Sequence, residues 1–234
     1  APENGSGSTD AGLRASKEVS GSIPKKTAAP SSTINGSNFT IPVESGMAYR
    51  YLNEDGTTSD WTSITATRDL ALSEVAAKAL YSGSGKQEEV SLQFRKNASS
   101  TTQVSNITTV TIPVQEGAPS ENESGISLTY TSSSTLALQV KAASSTTPFE
   151  YAIVEEDDVL DYSLTNWISI TSNKEISIDD NTAEEGSKIY VRKKSTDASG
   201  AVSFSLASAP LNLTGENGVC YPDPATADGL TTII

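Results

Sequence analysis

Clustered carboxylates are the side chains in this sequence that are best suited to chemistry. Glycoside hydrolysis needs two of them, about 5–10 Å apart across a cleft. All of the acidic clusters fall in predicted loops of the second half of the chain, so we predict solvated surface charge and no catalytic site. The clusters are Glu155, Glu156, Asp157, Asp158 and Asp161, then Asp179–Asp180 and Glu184–Glu185.

The same loop residues are also the candidates for a cation site. Ca²⁺ takes several carboxylate and carbonyl oxygens, and a loop can supply them. No Asp-x-Asp-x-Asp-Gly spacing is present, so the site is weakly supported beside the alternative of solvated charge. We expect no cofactor, with Ca²⁺ as the one possibility; the Ca²⁺ candidates are Glu155, Glu156, Asp157, Asp158 and Asp161.

Histidine-dependent catalysis is excluded because the sequence has no histidine. Ser-His-Asp and Cys-His systems both need an imidazole. Cys220 is the single cysteine, so it forms no intramolecular disulfide, and Cys/His zinc sites need several such ligands. We predict that the protein is not an enzyme.

Two tryptophans allow two interpretations. An exposed aromatic ring can stack on a sugar, whereas a buried ring fills a sandwich core. Trp61 precedes Ile64 by three residues and Trp167 precedes Ile170 by three, within a shared Trp-x-Ser-Ile. The repeated spacing favours the core, and we predict that all four side chains are core residues.

Asn-x-Ser/Thr triplets mark candidate glycosylation sites. Seven occur in a chain rich in Ser and Thr, which is a mild excess over chance, and compositional accident is the alternative. We retain five as candidates: Asn38, Asn97, Asn106, Asn122 and Asn212.

Alternating apolar residues predict the β-strands that must position these groups. The alternation occurs twice in the same order, with Leu136, Leu138 and Val140 taking the places of Phe39, Ile41 and Val43. Phe149 and Tyr151 take the places of Tyr49 and Tyr51. One helix is predicted in the first half, over residues 73–80 with Ser73 as its N-cap.

The repeat predicts an all-β protein of two tandem modules, with a short helix in the first module and extended tails. A Gly- and Pro-containing polar stretch separates the two halves. The predicted divisions are an N-terminal tail (1–30), module 1 (31–115), a linker (116–124), module 2 (125–215) and a C-terminal tail (216–234).

The order of a Tyr strand, a Trp-x-x-Ile strand and an apolar-Arg strand resembles tandem β-sandwich repeats of Gram-positive bacterial cell-surface and S-layer-associated proteins. The resemblance covers roughly residues 31–115 and 125–215, and its motifs are short. It implies an immunoglobulin-like fold and a cell-surface location. The residues that carry it are Tyr49, Trp61, Ile64, Phe94 and Arg95, and then Tyr151, Trp167, Ile170, Val191 and Arg192.

The charge restricts the partners. Sixteen basic against twenty-nine acidic residues give a net charge of −13, which repels nucleic acid and anionic lipid. The sequence contains no run of 18 apolar residues, so we expect no membrane insertion. The composition and the resemblance together imply an extracellular or cell-surface location, and we expect self-association, or contact with neighbouring surface proteins or glycans.

Two functions follow from this sequence. The first is a structural or adhesive building block of a surface layer or filament, which assembles through its tails and edge strands. The second is a carbohydrate- or host-protein-binding module of a larger secreted protein.

Overall fold

The computed structural model describes residues 23–83, 85–132, 135–162, 164–179, 181–184, 186–195 and 205–213. Nearly all regular structure in them is β-strand. The strands before the linker are β1 (Lys25–Lys26), β2 (Thr40–Val43), β3 (Met47–Leu52), β4 (Thr62–Ser63), β5 (Arg68–Ala71), β6 (Val90–Lys96), β7 (Thr102–Gln103) and β8 (Thr108–Ile112). Those after it are β9 (Ile126–Ser132), β10 (Thr135–Val140), β11 (Phe149–Val154), β12 (Ile168–Ile170), β13 (Ile176–Asp179), β14 (Lys188–Lys193) and β15 (Leu211–Asn212).

Each module has a four-stranded antiparallel sheet of the same order. In module 1 the order is β4-β3-β6-β8, and in module 2 it is β12-β11-β14-β15. The second sheet is β2-β5 in module 1 and β13-β10-β9 in module 2. The tandem immunoglobulin-like sandwich predicted from the sequence is confirmed.

Strand alternation supplies the two apolar cores. Leu92 and Phe94 on β6 are fully buried in the first cluster, and Ile189 and Val191 on β14 are fully buried in the second. Side chains on a strand alternate between faces. The residues between and after these four therefore lie on the opposite face of the four-stranded sheet, which we call the outer face.

The register of β3 and β11 corrects one equivalence. Ala48 pairs with Arg95 and Glu150 pairs with Arg192, so Tyr151 is the counterpart of Tyr49, not of Tyr51. The shift is two residues, which leaves every side chain on its predicted face. Apolar alternation alone does not distinguish registers two residues apart.

The predicted helix over 73–80 is shorter and begins elsewhere. An α-helical turn, α1 (Leu72–Val75), is followed by a 3₁₀ turn (Ala77–Ala79). Ala71 is the N-cap, and the Ser73 cap is wrong because β5 runs directly into the helix. The Leu72 N–H donates to the Phe39 carbonyl at 2.7 Å, which continues the β2–β5 ladder into the first turn.

The linker contains a second short helix, α2 (Glu121–Ser124). The Ser120 side chain accepts from the Glu123 N–H, and Gly125 ends the helix in the left-handed conformation with φ 59°. Glycine adopts that conformation without steric cost. The polar break is thus an ordered turn that leads into β9.

The predicted N-terminal tail is described only from residue 23. Its strand β1 pairs in parallel with β7, with Lys25 opposite Thr102 and Lys26 opposite Gln103. Residues 1–22 and the C-terminal tail, 216–234 with Cys220, lie outside the described residues. No described helix has both the length and the apolar character that crossing a membrane requires.

Candidate functional site

A buried arginine lies at the junction of the two modules. Arg192 on β14 is 0% exposed, and its guanidinium carbon lies 3.6 Å from the centre of the Trp167 ring. Its Nη2 donates to Glu150 Oε2 at 2.8 Å. Lys194 adds a contact of 3.3 Å to Glu150 Oε1. A charge without water must be paired and hydrogen-bonded. Glu150 supplies the counter-charge and accepts from Arg192 Nε and Nη2, whereas Arg192 Nη1 has no hydrogen-bond partner among the described residues.

Aromatic rings from both modules cover this arginine. Tyr162, in the connection between β11 and β12, stacks on Trp167 with ring centres 6.4 Å apart. Phe39 of module 1 lies 4.5 Å from the Tyr162 ring and 5.7 Å from the Arg192 guanidinium. Phe39 holds a positive φ of 56°, which is costly for a non-glycine residue. The backbone therefore accepts strain where module 1 meets module 2.

Burial alters the titration of the groups in this cluster. Desolvation lowers the pKa of Arg192, and the hydrogen bond and charge of Glu150 oppose the shift. Desolvation raises the pKa of the Tyr162 phenol, and the Arg192 charge and a hydrogen bond with Gln115 counteract it in part. Arg192 stays charged at neutral pH because the ordinary pKa of a guanidinium lies far above neutrality.

Backbone contacts join the modules beside the arginine. The Ala207 N–H donates to the Gly36 carbonyl at 3.1 Å, and the Ala209 N–H donates to the Glu116 carbonyl at 2.8 Å. Gln115 is 3% exposed and its Nε2 donates to the Ala207 carbonyl at 3.0 Å. Such contacts fix position and orientation together, because each hydrogen bond is directional.

Part of module 2 completes the core of module 1. Leu206 and Ala207 precede β15, yet they pack in the buried cluster formed by β2, β5, β6 and β8. They are 6% and 0% exposed. The apolar packing therefore crosses the predicted division between the modules, and the division itself stays a prediction.

Trp61 forms the corresponding site in module 1. The Arg95 and Arg50 guanidinium groups lie 4.1 Å and 4.5 Å from the centre of its ring. Ala48 stands where module 2 has Glu150, so no carboxylate faces Arg95 across the strands. Trp61 is partly exposed, as Trp167 is, and none of the ring contacts of the described residues places a second aromatic ring on Trp61 as Tyr162 is placed on Trp167.

The four predicted core residues divide by type. Ile64 and Ile170 are 7% and 3% exposed and lie in the two apolar clusters. Trp61 and Trp167 are half-buried and lie on outer sheet faces, where guanidinium groups cover them. The difference arises because Trp and Ile in Trp-x-Ser-Ile are three residues apart, which places them on opposite faces of a strand.

The acidic candidates lie in exposed loops. Among the described residues no three acidic groups come together in a way that would hold a metal ion. The pKa of Asp179 is lowered by hydrogen bonds from Thr182 and Asn181, which makes it a poor proton donor. Asp180 and Glu185 lie outside the described residues; Glu155, Glu156, Asp157, Asp158 and Asp161 are all exposed.

One hollow of ≈ 490 Å³ lies beside α1 and the ends of β3 and β6. Its rim carries Glu54, Glu74, Glu88 and Glu89. The two Arg68 Nη groups donate to Glu74 at 2.8 Å each, and the hydrogen bond lowers the pKa of Glu74. A lowered pKa opposes the use of Glu74 as a general acid.

The candidate glycosylation asparagines are accessible to different degrees. Asn38, Asn106, Asn122 and Asn212 are exposed, and Asn97 is partly buried at the end of β6. Ser124, which completes the Asn122 triplet, is 6% exposed inside α2. Glycosylation remains a prediction for all five.

Comparison with known proteins finds solved structures of low sequence identity and low TM-score. No family model matches the sequence, and no curated protein matches it. A two-domain fibronectin type-III segment of chicken tenascin matches with 12% identity over 81% of this chain and 96% of that chain, at a TM-score of 0.27.

Two further chicken structures match at a similar level. The interferon gamma receptor alpha chain has 11% identity over 84% of this chain and 99% of its own, at a TM-score of 0.29. The CNTN1 FN1–FN3 domains have 10% identity over 81% and 67%, at a TM-score of 0.30. These scores support no inference about function, and the fold class rests on the strand topology described above.

The sequence contained one overlooked signal for the junction. Glu150 interrupts the apolar strand Phe149–Val154, and Arg192 ends the apolar run of β14. Opposite charges on two neighbouring strands of one sheet indicate a cross-strand pair. No comparable signal identifies Phe39, whose apolar side chain fits the core pattern equally well.

Proposed function

We propose that this protein is a structural or adhesive extracellular surface protein and a building block of a surface layer or filament. It is not an enzyme. The observation that carries the proposal is the junction, where Arg192, Trp167, Tyr162 and Phe39 pack together and Leu206 enters the core of module 1. A spacer that transmits force needs such a stiff connection.

The physical argument compares this junction with an ordinary linker. Domains joined only by a flexible segment move relative to one another by default, unless the interface is large and apolar. Here backbone hydrogen bonds, shared apolar packing and a desolvated cation act at one junction. The resemblance to Gram-positive surface repeats supports the location, and tails and edge strands supply surfaces for neighbours.

The free edge of strand β2 is protected against pairing with a strand of another chain. On β2, Thr40 exchanges backbone hydrogen bonds with Asn35, so alternate residues turn their backbone groups away from β5. Pro42 is the next such residue and has no N–H to offer. Proline on an edge strand opposes strand addition, so β2 is a poor site for edge pairing.

Electron microscopy of the purified full chain tests this function. We expect fibres or sheets at high protein concentration. Small-angle scattering at low concentration should give one elongated particle with a fixed angle between modules. Monodisperse particles at every concentration would count against the layer or filament.

The second candidate function is recognition of a carbohydrate or a host protein. The half-exposed Trp61, beside two arginines on an outer sheet face, favours it. Aromatic and arginine side chains are enriched at binding surfaces. Glycan-array binding that is lost in Trp61→Ala and kept in the exposed-aromatic control Tyr81→Ala would support this function over the first.

A further inference from the structure

The end of module 1 that points away from module 2 has the same build as the end of module 2 that docks. The Ser105 N–H donates to the Lys96 carbonyl at 3.1 Å, and Ser105 Oγ accepts from the Lys96 N–H at 2.8 Å. Ser208 and Lys193 make the same two bonds, at 3.2 Å and 2.9 Å. Ser105 is therefore the counterpart of Ser208.

This equivalence pairs buried residues of module 2 with exposed residues of module 1. Ala207 and Ala209 are 0% and 6% exposed, because module 1 covers them. In module 1 the counterpart of Ala207 is Val104, and Ile107 directly follows the counterpart of Ala209. Val104 and Ile107 are 36% and 45% exposed. Trp61 likewise corresponds to Trp167, on which Tyr162 stacks. Module 1 thus carries an uncovered version of the surface with which module 2 docks.

We call this surface the proximal face; it consists of Trp61, Arg95, Val104 and Ile107 with Lys25 and Lys26. Its charge is opposite to that of the chain as a whole. Lys25 and Lys26 are exposed beside β7, and Arg95 adds a third cation. Lys96, which is close by, forms an ion pair of 2.9 Å with Glu44. The exposed Asp60 lies directly before Trp61 in the sequence, so three cations stand against one unpaired carboxylate, and the proximal face suits an acidic partner in spite of the net charge of −13.

The opposite end of the folded molecule, in module 2, has an acidic surface. We call this surface the distal pole; it is formed by Glu155, Glu156, Asp157, Asp158 and Glu184. The loops after β11 and after β13 meet there, since Glu155 and Glu184 line one hollow of ≈ 270 Å³. Val159, directly after the four carboxylates, is 87% exposed. Lys188 Nζ donates to the Glu156 carbonyl at 2.6 Å, so one cation lies beside the five carboxylates of this pole and the excess charge there is negative.

We propose that the proximal face binds the distal pole of a second copy of this chain. The inference rests on the proposed self-assembling function and names the two surfaces that would perform it. Opposite charges orient the encounter, and Val159, Val104 and Ile107 bury apolar area. This contact joins two different surfaces of identical chains. Such a contact forms a ring when the rotation between neighbours closes, and otherwise an open linear polymer.

Charge reversal tests the two surfaces separately. Asp157→Lys with Asp158→Lys makes the distal pole basic, and Lys25→Glu with Lys26→Glu makes the proximal face acidic. Each double variant should need a protein concentration about tenfold or more higher for assembly, because like charges then face each other. Mixed in equal amounts, the two variants have complementary surfaces again and should assemble like the unmodified chain.

Matched controls change the net charge equally at other exposed positions. Glu54→Lys with Glu89→Lys serves the first variant, and Lys86→Glu with Lys174→Glu serves the second. Both controls should assemble normally. Val104→Asp should weaken assembly without altering the lysines or the distal pole. Light scattering and electron microscopy give the readout, and circular dichroism checks folding.

The outcomes separate this inference from the function on which it rests. Assembly of the unmodified chain, loss in each variant and rescue in the mixture support the pairing. Normal assembly by both variants overturns the pairing and leaves a self-assembling protein that uses its tails or other edges. An unmodified chain that never assembles overturns both proposals.

Discussion

Glu150 and Arg192 lie opposite each other on neighbouring strands, with Glu150 Oε2 2.8 Å from Arg192 Nη2. Their side chains are 5% and 0% exposed. The pair lies on the outer face of a sheet, where a lone sandwich would meet solvent. Module 1 and the Tyr162 ring exclude that solvent, so the pair and the module junction depend on each other.

Removing one partner of this pair should be costly. In Glu150→Gln the Arg192 charge stays buried without a counter-charge, and we expect a loss of about 3–5 kcal/mol in the free energy of unfolding. Urea denaturation measures it. Glu44→Gln is the matched control, because its pair with Lys96 has side chains 65% and 36% exposed and should contribute about 0–1 kcal/mol. Equal losses in the two variants would contradict the buried role of Glu150.

The two tryptophans should differ in energetic weight although they occupy equivalent positions. A desolvated cation–π contact contributes about 2 kcal/mol and an exposed one about 0.5–1 kcal/mol. Trp167→Ala should therefore lower the free energy of unfolding by about 1 kcal/mol more than Trp61→Ala. Chemical denaturation followed by circular dichroism gives the comparison. The reverse ranking would show that the Arg192 cluster is not the stronger one.

Gly36 should tolerate no side chain at the junction. A Cβ there would collide with Ser195 Oγ and the Ser205 carbonyl oxygen. Gly36→Ala should cost about 1–3 kcal/mol through the displaced backbone and separate the melting of the two modules. In the control Gly117→Ala the new Cβ meets the Tyr81 ring at 3.4 Å, an ordinary contact. Calorimetry that shows a single unchanged transition in Gly36→Ala would contradict the close approach.

Alkaline pH should loosen the junction through Tyr162. Burial raises the pKa of its phenol above the unfolded value of about 10, so the folded state keeps the proton longer. The linked stability is present in full below about pH 10 and is lost as the pH rises through the folded pKa. Stability should decline less steeply above pH 10 in Tyr162→Phe. Parallel alkaline profiles of the free energy of unfolding would refute the linkage.

The sequence predicted the strands and the repeat because apolar alternation reports directly on burial of one sheet face. Ile64 and Ile170 illustrate this, since each lies in the core of its own module. The tryptophans illustrate the limit: a shared motif shows that two positions are equivalent, but it does not show which face they occupy. The spacing of three residues from Trp to Ile does show it, because residues three apart on a strand lie on opposite faces of the sheet.

The junction itself was not accessible from local patterns. Phe39 and Leu206 look like ordinary core residues of their own modules, yet both help to join the two. Contacts between residues more than a hundred positions apart depend on the relative placement of the sandwiches, which short-period alternation does not encode. Gln115 gave no signal either, because a single polar residue before a linker is common.

Residues 206 and 207 complete a core that begins at residue 34, and this has a consequence for biosynthesis. A chain that emerges from the ribosome N-terminus first has synthesised all strands of module 1 by residue 112, yet that module still lacks two of its buried side chains. Nearly a hundred further residues must be translated before they arrive. The core of the first sandwich is therefore completed only after most of module 2 has been translated. A nascent chain interrupted within module 2 leaves an apolar gap in module 1 for chaperones to recognise.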